Sequence, residues 1–75
     1  MKYRVVFEFQ SEDSAMSDVY NCKDEQEAKE KFAELRDSLE HAIDADGCEV
    51  TAEAAFYCLI NRSEGLYGYV RLLEE

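Results

Sequence analysis

The 75-residue chain predicts an α+β fold of order β-β-α-β-β, an antiparallel four-stranded sheet with one long helix packed on one face. Three observations predict it. Apolar and polar residues alternate through residues 2–10, an apolar stripe of helical spacing runs from Ala28 to Ala42, and two apolar stretches, 54–61 and 66–73, flank a loop sequence. The length suits one compact domain, residues 1–75, of which only roughly 60% of the unfolded surface is buried on folding. A hydrophobic fraction of 47%, with four Phe and five Tyr, is too apolar for a disordered acidic chain.

The first strand places Tyr3, Val5, Phe7 and Phe9 on one face, with Lys2, Arg4, Glu8 and Gln10 among the others. Ser11-Glu12-Asp13-Ser14 has turn chemistry, and a second strand is expected over 16–22. Asp24 then offers a helix N-cap with Glu27 at the third helical position. Ala28, Phe32, Leu35, Leu39 and Ala42 follow at alternating spacings of four and three, with Ile43 beside them. Gly47 is placed to end this helix in a left-handed conformation. Residues 54–61 and 66–73 read as the last two strands, joined through Arg62-Ser63-Glu64-Gly65 with Gly65 supplying a positive φ. A second helix over 51–61 competes, because Ala52, Glu53, Ala54 and Ala55 favour helix. The hairpin is preferred, since Phe56, Tyr57, Leu59 and Ile60 are continuous instead of helically spaced.

Eighteen Asp and Glu against eight Lys and Arg give a formal net charge of −10. Such a field repels DNA, RNA and anionic lipid surfaces, which bind through Lys and Arg. A basic protein or protein complex is the natural partner, with no direct nucleic-acid and no membrane binding expected. The amino-terminal stretch lacks the continuous apolar core of a signal peptide. No run reaches the roughly 18 apolar residues of a spanning helix. Cys22, Cys48 and Cys58 contain no CxxC pair, so free thiols and a reducing cytoplasmic location are expected.

On a helical projection Glu27, Glu30, Glu34, Asp37 and Asp44 lie opposite Phe32 and Leu35, while Lys29, Lys31 and Arg36 occupy the flanks. The plain reading is a solvated face, supported by pairs of Glu25 with Lys29 and Glu27 with Lys31. The sharper reading is an imitation of a nucleic-acid backbone. Glu27 to Asp44 spans ~25 Å at ~1.5 Å per residue, so its five acids fall every ~5–6 Å. Duplex DNA carries a charge every ~1.7 Å of axis. The ridge alone is a sparse copy, suited to one basic groove.

Metal and catalytic readings are weaker. Asp44-Ala45-Asp46-Gly47 follows positions three to six of a calcium loop with Glu53 at position twelve, but Ala42 stands where the first acid belongs. Cys22, His41, Cys48 and Cys58 lack the close ligand pairs of structural zinc sites. His41 lies one turn after Asp37 on an exposed face, without the pocket and nucleophile that general-base chemistry needs. No metal, no cofactor and no enzymatic activity are expected.

The size, the β-β-α-β-β order and the acids Glu27, Glu30, Glu34, Asp37, Glu40 and Asp44 together resemble the small acidic inhibitors encoded by phages, including the anti-CRISPR proteins. The resemblance is one of class, with no shared motif, and carries over no individual residue. It implies a non-catalytic binding protein in the host cytoplasm that occludes a basic surface of a nucleic-acid-processing complex. The five ridge acids would steer it, and Tyr57, Tyr67 and Tyr69 would anchor it from the uncovered sheet face. The alternative is a homodimeric structural domain whose acids only confer solubility.

Overall fold

The computed structural model describes residues 2–43 and 47–74. Its elements run β1 (Tyr3–Gln10), β2 (Ala15–Cys22), α1 (Glu25–Ala42), β3 (Glu49–Ala52), β4 (Phe56–Asn61) and β5 (Leu66–Glu74). All strand pairings are antiparallel, and the sheet order is β2-β1-β5-β4-β3. The α+β class and the single helix are as expected, but the sheet has five strands where four were predicted. The additional strand, β3, is exposed at every position, and its four residues, Glu-Val-Thr-Ala, alternate over too short a stretch to mark a strand. It forms because β4 would otherwise present an unpaired edge, and the ladder from Glu49↔Ile60 to Ala52↔Tyr57 satisfies it. Helix propensity at Ala52–Ala55 loses to that pairing, with Glu53 N–H donating to Phe56 O at 2.8 Å in the connecting turn.

The helix has a geometric task. β2 and β3 occupy opposite edges, so the segment between them must cross the sheet. Eighteen residues give ~27 Å at ~1.5 Å per residue, enough for four inter-strand gaps of ~4.8 Å. Asp24 caps the start, its Oδ1 accepting the Glu27 N–H at 2.8 Å. The end differs from the expectation. Ile43, extended at φ −124°, terminates the helix by donating its N–H to Leu39 O, and Gly47, with φ +82°, lies beyond that cap. Ile43 is fully buried, so the chain leaves the helix in order to sink this side chain into the core.

The core lies between the helix and one sheet face. Ala28, Phe32, Leu35 and Leu39 descend onto Val5 and Phe7 of β1, Val70 of β5, and Tyr57 and Leu59 of β4. Val5, Leu39, Ile43, Leu59 and Val70 are sealed from solvent, each worth ~1.5–3 kcal/mol of burial. Gly68 marks the closest approach of helix to sheet. A Cβ there would overlap Leu39 Cδ1 and lie 3.3 Å from Glu8 O and 3.4 Å from Ile43 Cδ1. The β4–β5 hairpin forms as expected, with Gly65 at φ +68° and the Asn61 side chain accepting from Ser63 Oγ at 2.8 Å and Glu64 N–H at 3.2 Å.

Candidate interaction surfaces

Two surfaces remain after the core is closed: the outer side of α1 and the sheet face away from it. Glu30, Glu34 and Asp37 are exposed on the outer side. Two of the three flanking cations, Lys31 and Arg36, bend down to the sheet. Lys31 Nζ lies 4.8 Å from the Tyr20 ring centroid on the β2 side, and Arg36 Cζ lies 4.4 Å from the Tyr57 centroid on the β4 side. Both distances suit cation–π attraction. The same cations reach acids along the helix, Lys31 to Glu34 at 3.2 Å and Arg36 Nε to Glu40 at 3.4 Å. Lys29 meets Glu25 at 2.9 Å, as the spacing predicts, whereas Lys31 turns to Glu34 instead of forming the expected pair with Glu27.

Glu27 does not sit on the crest. It is half-buried on the β2 flank, where its charge adds to burial in raising the Cys22 thiol pKa. Asp44, the last of the predicted ridge acids, lies outside the described residues, as does Asp46. The crest therefore consists of Glu30, Glu34 and Asp37, followed by His41. The imidazole Nδ1 is 2.8 Å from Asp37 O, one turn back. That carbonyl, and then the Asp37 charge, raise the His41 pKa above its ordinary value.

The opposite sheet face requires a correction. Tyr57 is not there. It pairs with Val70, is buried beneath the helix, and hydrogen-bonds Glu40; burial first and Glu40 second push its pKa up against the opposing charge of Arg36. Tyr67 and Tyr69 do lie on the open face, opposite Ile60 and Cys58. The partner ring is Phe56, whose centroid is 5.9 Å from that of Tyr69, with Tyr67 5.9 Å away on the other side at 70°. Arg71 lies over both Phe56 (5.0 Å) and Tyr69 (5.7 Å), and Glu8 hydrogen-bonds Tyr69. The face is thus partly self-covered: Phe56, Tyr67 and Tyr69 are half-buried, while Val19 (53% exposed) and Leu73 (38%) remain open nearby.

Sequence reasoning missed Phe56, Arg71 and Glu8. The signal was present in the proposed loop. Closing a hairpin on Arg62–Gly65 sets Asn61 opposite Leu66, and counting back puts Tyr57 opposite Val70 on the helix side. Phe56, Cys58 and Ile60 then share the face of Tyr67 and Tyr69.

The thiols and potential metal ligands are dispersed. Cys22 belongs to the helix-side core, whereas Cys58 lies opposite Tyr69 on the other face; burial raises both thiol pKa values, and thereby lowers their nucleophilicity. Among the described residues, no three His, Cys, Asp or Glu side chains converge as a metal site would need. Glu53 falls in a turn followed by a strand, where a calcium loop would need a helix. No described helix is long and apolar enough to cross a membrane. No family model, curated protein or solved structure matches the chain at a significant level.

Proposed function

We propose that the protein is a non-catalytic binding protein whose acidic helix face occludes a basic groove, of the kind found on nucleic-acid-processing complexes. The supporting observation is the inward turn of Lys31 and Arg36 onto Tyr20 and Tyr57, so that the charges exposed along the crest of α1 are Glu30, Glu34 and Asp37, with the exposed Lys29 held by Glu25 to one side. Acids on a rigid, well-packed helix suffer little ordering cost on binding, and they steer a cationic partner over distances limited by the Debye length of ~8 Å at physiological salt. The ridge is a salt-sensitive docking edge, and the inhibitor-like role follows from competition with nucleic acid for the same groove.

The test holds net charge constant. Reversing Glu30, Glu34 and Asp37 to Lys is compared with reversing Asp13, Asp18 and Glu53, three exposed acids away from the ridge. Affinity capture from cell extract at low and high salt is expected to lose a salt-sensitive partner only with the ridge variant, while both variants retain the native circular dichroism spectrum. Undiminished capture by the ridge variant, or equal loss by both, refutes the reading.

A second reading is a homodimer through the open sheet face, favoured by the exposure of Val19 and Leu73 beside the Phe56–Tyr69–Tyr67 cluster. It requires a salt-independent dimer in sedimentation that Leu73→Asp disrupts.

A further inference from the structure

The two edges of the sheet are built differently. Among the described residues, β3 forms one edge and β2 the other. β3 is only four residues long, and shortness is one way a sheet protects an edge from further pairing. β2 has none of the usual protections. It runs for eight residues, contains no Pro, Lys or Arg, carries one charge at Asp18, and pairs with β1 row by row without a bulge. Met16 and Val19, on its opposite faces, are 50% and 53% exposed.

The β1–β2 ladder determines which backbone groups of β2 point outward. Ser11 N–H donates to Ser14 O at 2.8 Å, closing the hairpin with a hydrogen-bonded pair. Bonded and non-bonded rows alternate from there, so Met16, Asp18, Tyr20 and Cys22 turn their N–H and C=O groups toward β1. Ala15, Ser17, Val19 and Asn21 turn theirs away from it. The far side of β1 agrees: Val5 bonds toward Tyr20, and Leu72, opposite Val5 on β5, points its N–H away to Ala55 O at 2.8 Å. A row of alternating donors and acceptors along an edge is complementary to another extended backbone.

We infer that β2 pairs antiparallel with β2 of a second copy of this chain, about a two-fold axis at Val19, so that two sheets become one. Outward-turned residues must meet outward-turned residues, and the two allowed registers nearest the strand centre have their axis at Asp18 or at Val19. The first sets Asp18 against itself and is disfavoured by like charge. In the second, Val19 faces its counterpart, Ser17 faces the second copy's Asn21, and Asp18 faces the second copy's Tyr20. The edge then complements itself in charge. Tyr20 packs on the helix side and carries Lys31 Nζ 4.8 Å from its ring centroid. Asp18, two residues away on the same face, therefore meets Lys31 of the other copy, and the symmetry makes this contact twice. Met16 and Asp18 are exposed because α1 does not cover that end of β2, which leaves room for the second copy's helix start. The acidic crests of both helices point away from the sheet, so this pairing does not rest on the ridge's role.

The experiment is sedimentation of the full chain over a range of concentrations up to millimolar. The salt is physiological or higher, where a Debye length of ~8 Å or less screens the −10 charge on each copy. A monomer–dimer equilibrium is expected. Asp18→Lys and Lys31→Glu should each weaken it by roughly tenfold or more, because either sets two like-charged pairs across the axis. Mixed in equal amounts, the two variants should regain the dimer as a heterodimer with both pairs of opposite sign, which a folding defect would not do. Amide hydrogen exchange reads the backbone: Ser17, Val19 and Asn21 should gain protection as concentration rises, while Met16, Asp18 and Tyr20 are protected throughout. Leu73→Asp, on the open face, should leave this dimer intact. The inference is overturned by a monomer at every concentration, by a dimer that Leu73→Asp abolishes and Asp18→Lys does not, or by variants that stay monomeric when mixed.

Discussion

Replacing Gly68 with alanine tests how the helix is seated on the sheet. The new methyl would overlap Leu39 Cδ1 and approach Glu8 O to 3.3 Å. Leu39 is fully buried, so its side chain cannot swing into solvent, and the Glu8 carbonyl belongs to the central β1 ladder. Forcing Leu39 off its rotamer costs ~0.5–1.5 kcal/mol, and overpacking a closed core typically ~1–3 kcal/mol. The lower chain entropy of alanine in the unfolded state returns ~0.4–1 kcal/mol. The net destabilisation is ~1–2 kcal/mol, against a total near ~4–11 kcal/mol for a chain of this length. At ~4–8 °C per kcal/mol, the thermal midpoint falls by ~5–15 °C. Urea unfolding followed by circular dichroism reads the loss as a lower midpoint at unchanged slope. Leu39→Val, which removes the clashing methyl at a cost of ~1 kcal/mol alone, should make Gly68→Ala less costly. The double variant should be more stable than the sum of the single effects by ~1 kcal/mol. A Gly68→Ala protein as stable as the parent, or strict additivity with Leu39→Val, would refute the close seating.

Other outcomes follow from the termini, turns and titrating groups. Asp24→Ala removes the acceptor for the Glu27 N–H and should cost ~1 kcal/mol in urea unfolding, with Asp24→Ser restoring most of it. Gly65→Ala, at φ +68°, should cost ~1–2 kcal/mol, since its Cβ meets only the exposed Glu12 side chain and the penalty is the backbone conformation; Gly65→Asn should cost less in the same thermal melt. His41 has a raised folded-state pKa, so its stabilising contribution is fully present below the unfolded value of 6.5 and disappears as pH rises through the folded value. Urea midpoints across this window should show a decline that His41→Gln abolishes.

Much of the architecture was legible because local patterns and burial agree. The alternation in β1, the capping acid Asp24, the stripe from Ala28 to Leu39 and the glycine of the β4–β5 turn all appear where their chemistry places them. β3 was not legible. Its alternation, Glu-Val-Thr-Ala, is only four residues long and both its faces meet solvent, so only the open edge of β4 makes it a strand. The helix end was misread for a related reason: Gly47 is a sound stop signal, but Ile43 gained more from burial than from another helical residue.

The candidate surfaces divide the same way. Composition and the helical period establish an acidic outer face on α1, since a peptide helix projects its residues at fixed angles whatever it packs against. They do not establish where the balancing cations go. Long Lys and Arg stems reach several neighbours, and it is the positions of Tyr20 on β2 and Tyr57 on β4 that draw Lys31 and Arg36 off the crest. Strand register likewise separates Tyr57 from Tyr67 and Tyr69. Those neighbours are distant or ambiguous along the chain. Periodicity assigns a residue to a face of its own element, but what shares that face depends on pairing between elements, a property of the folded sheet.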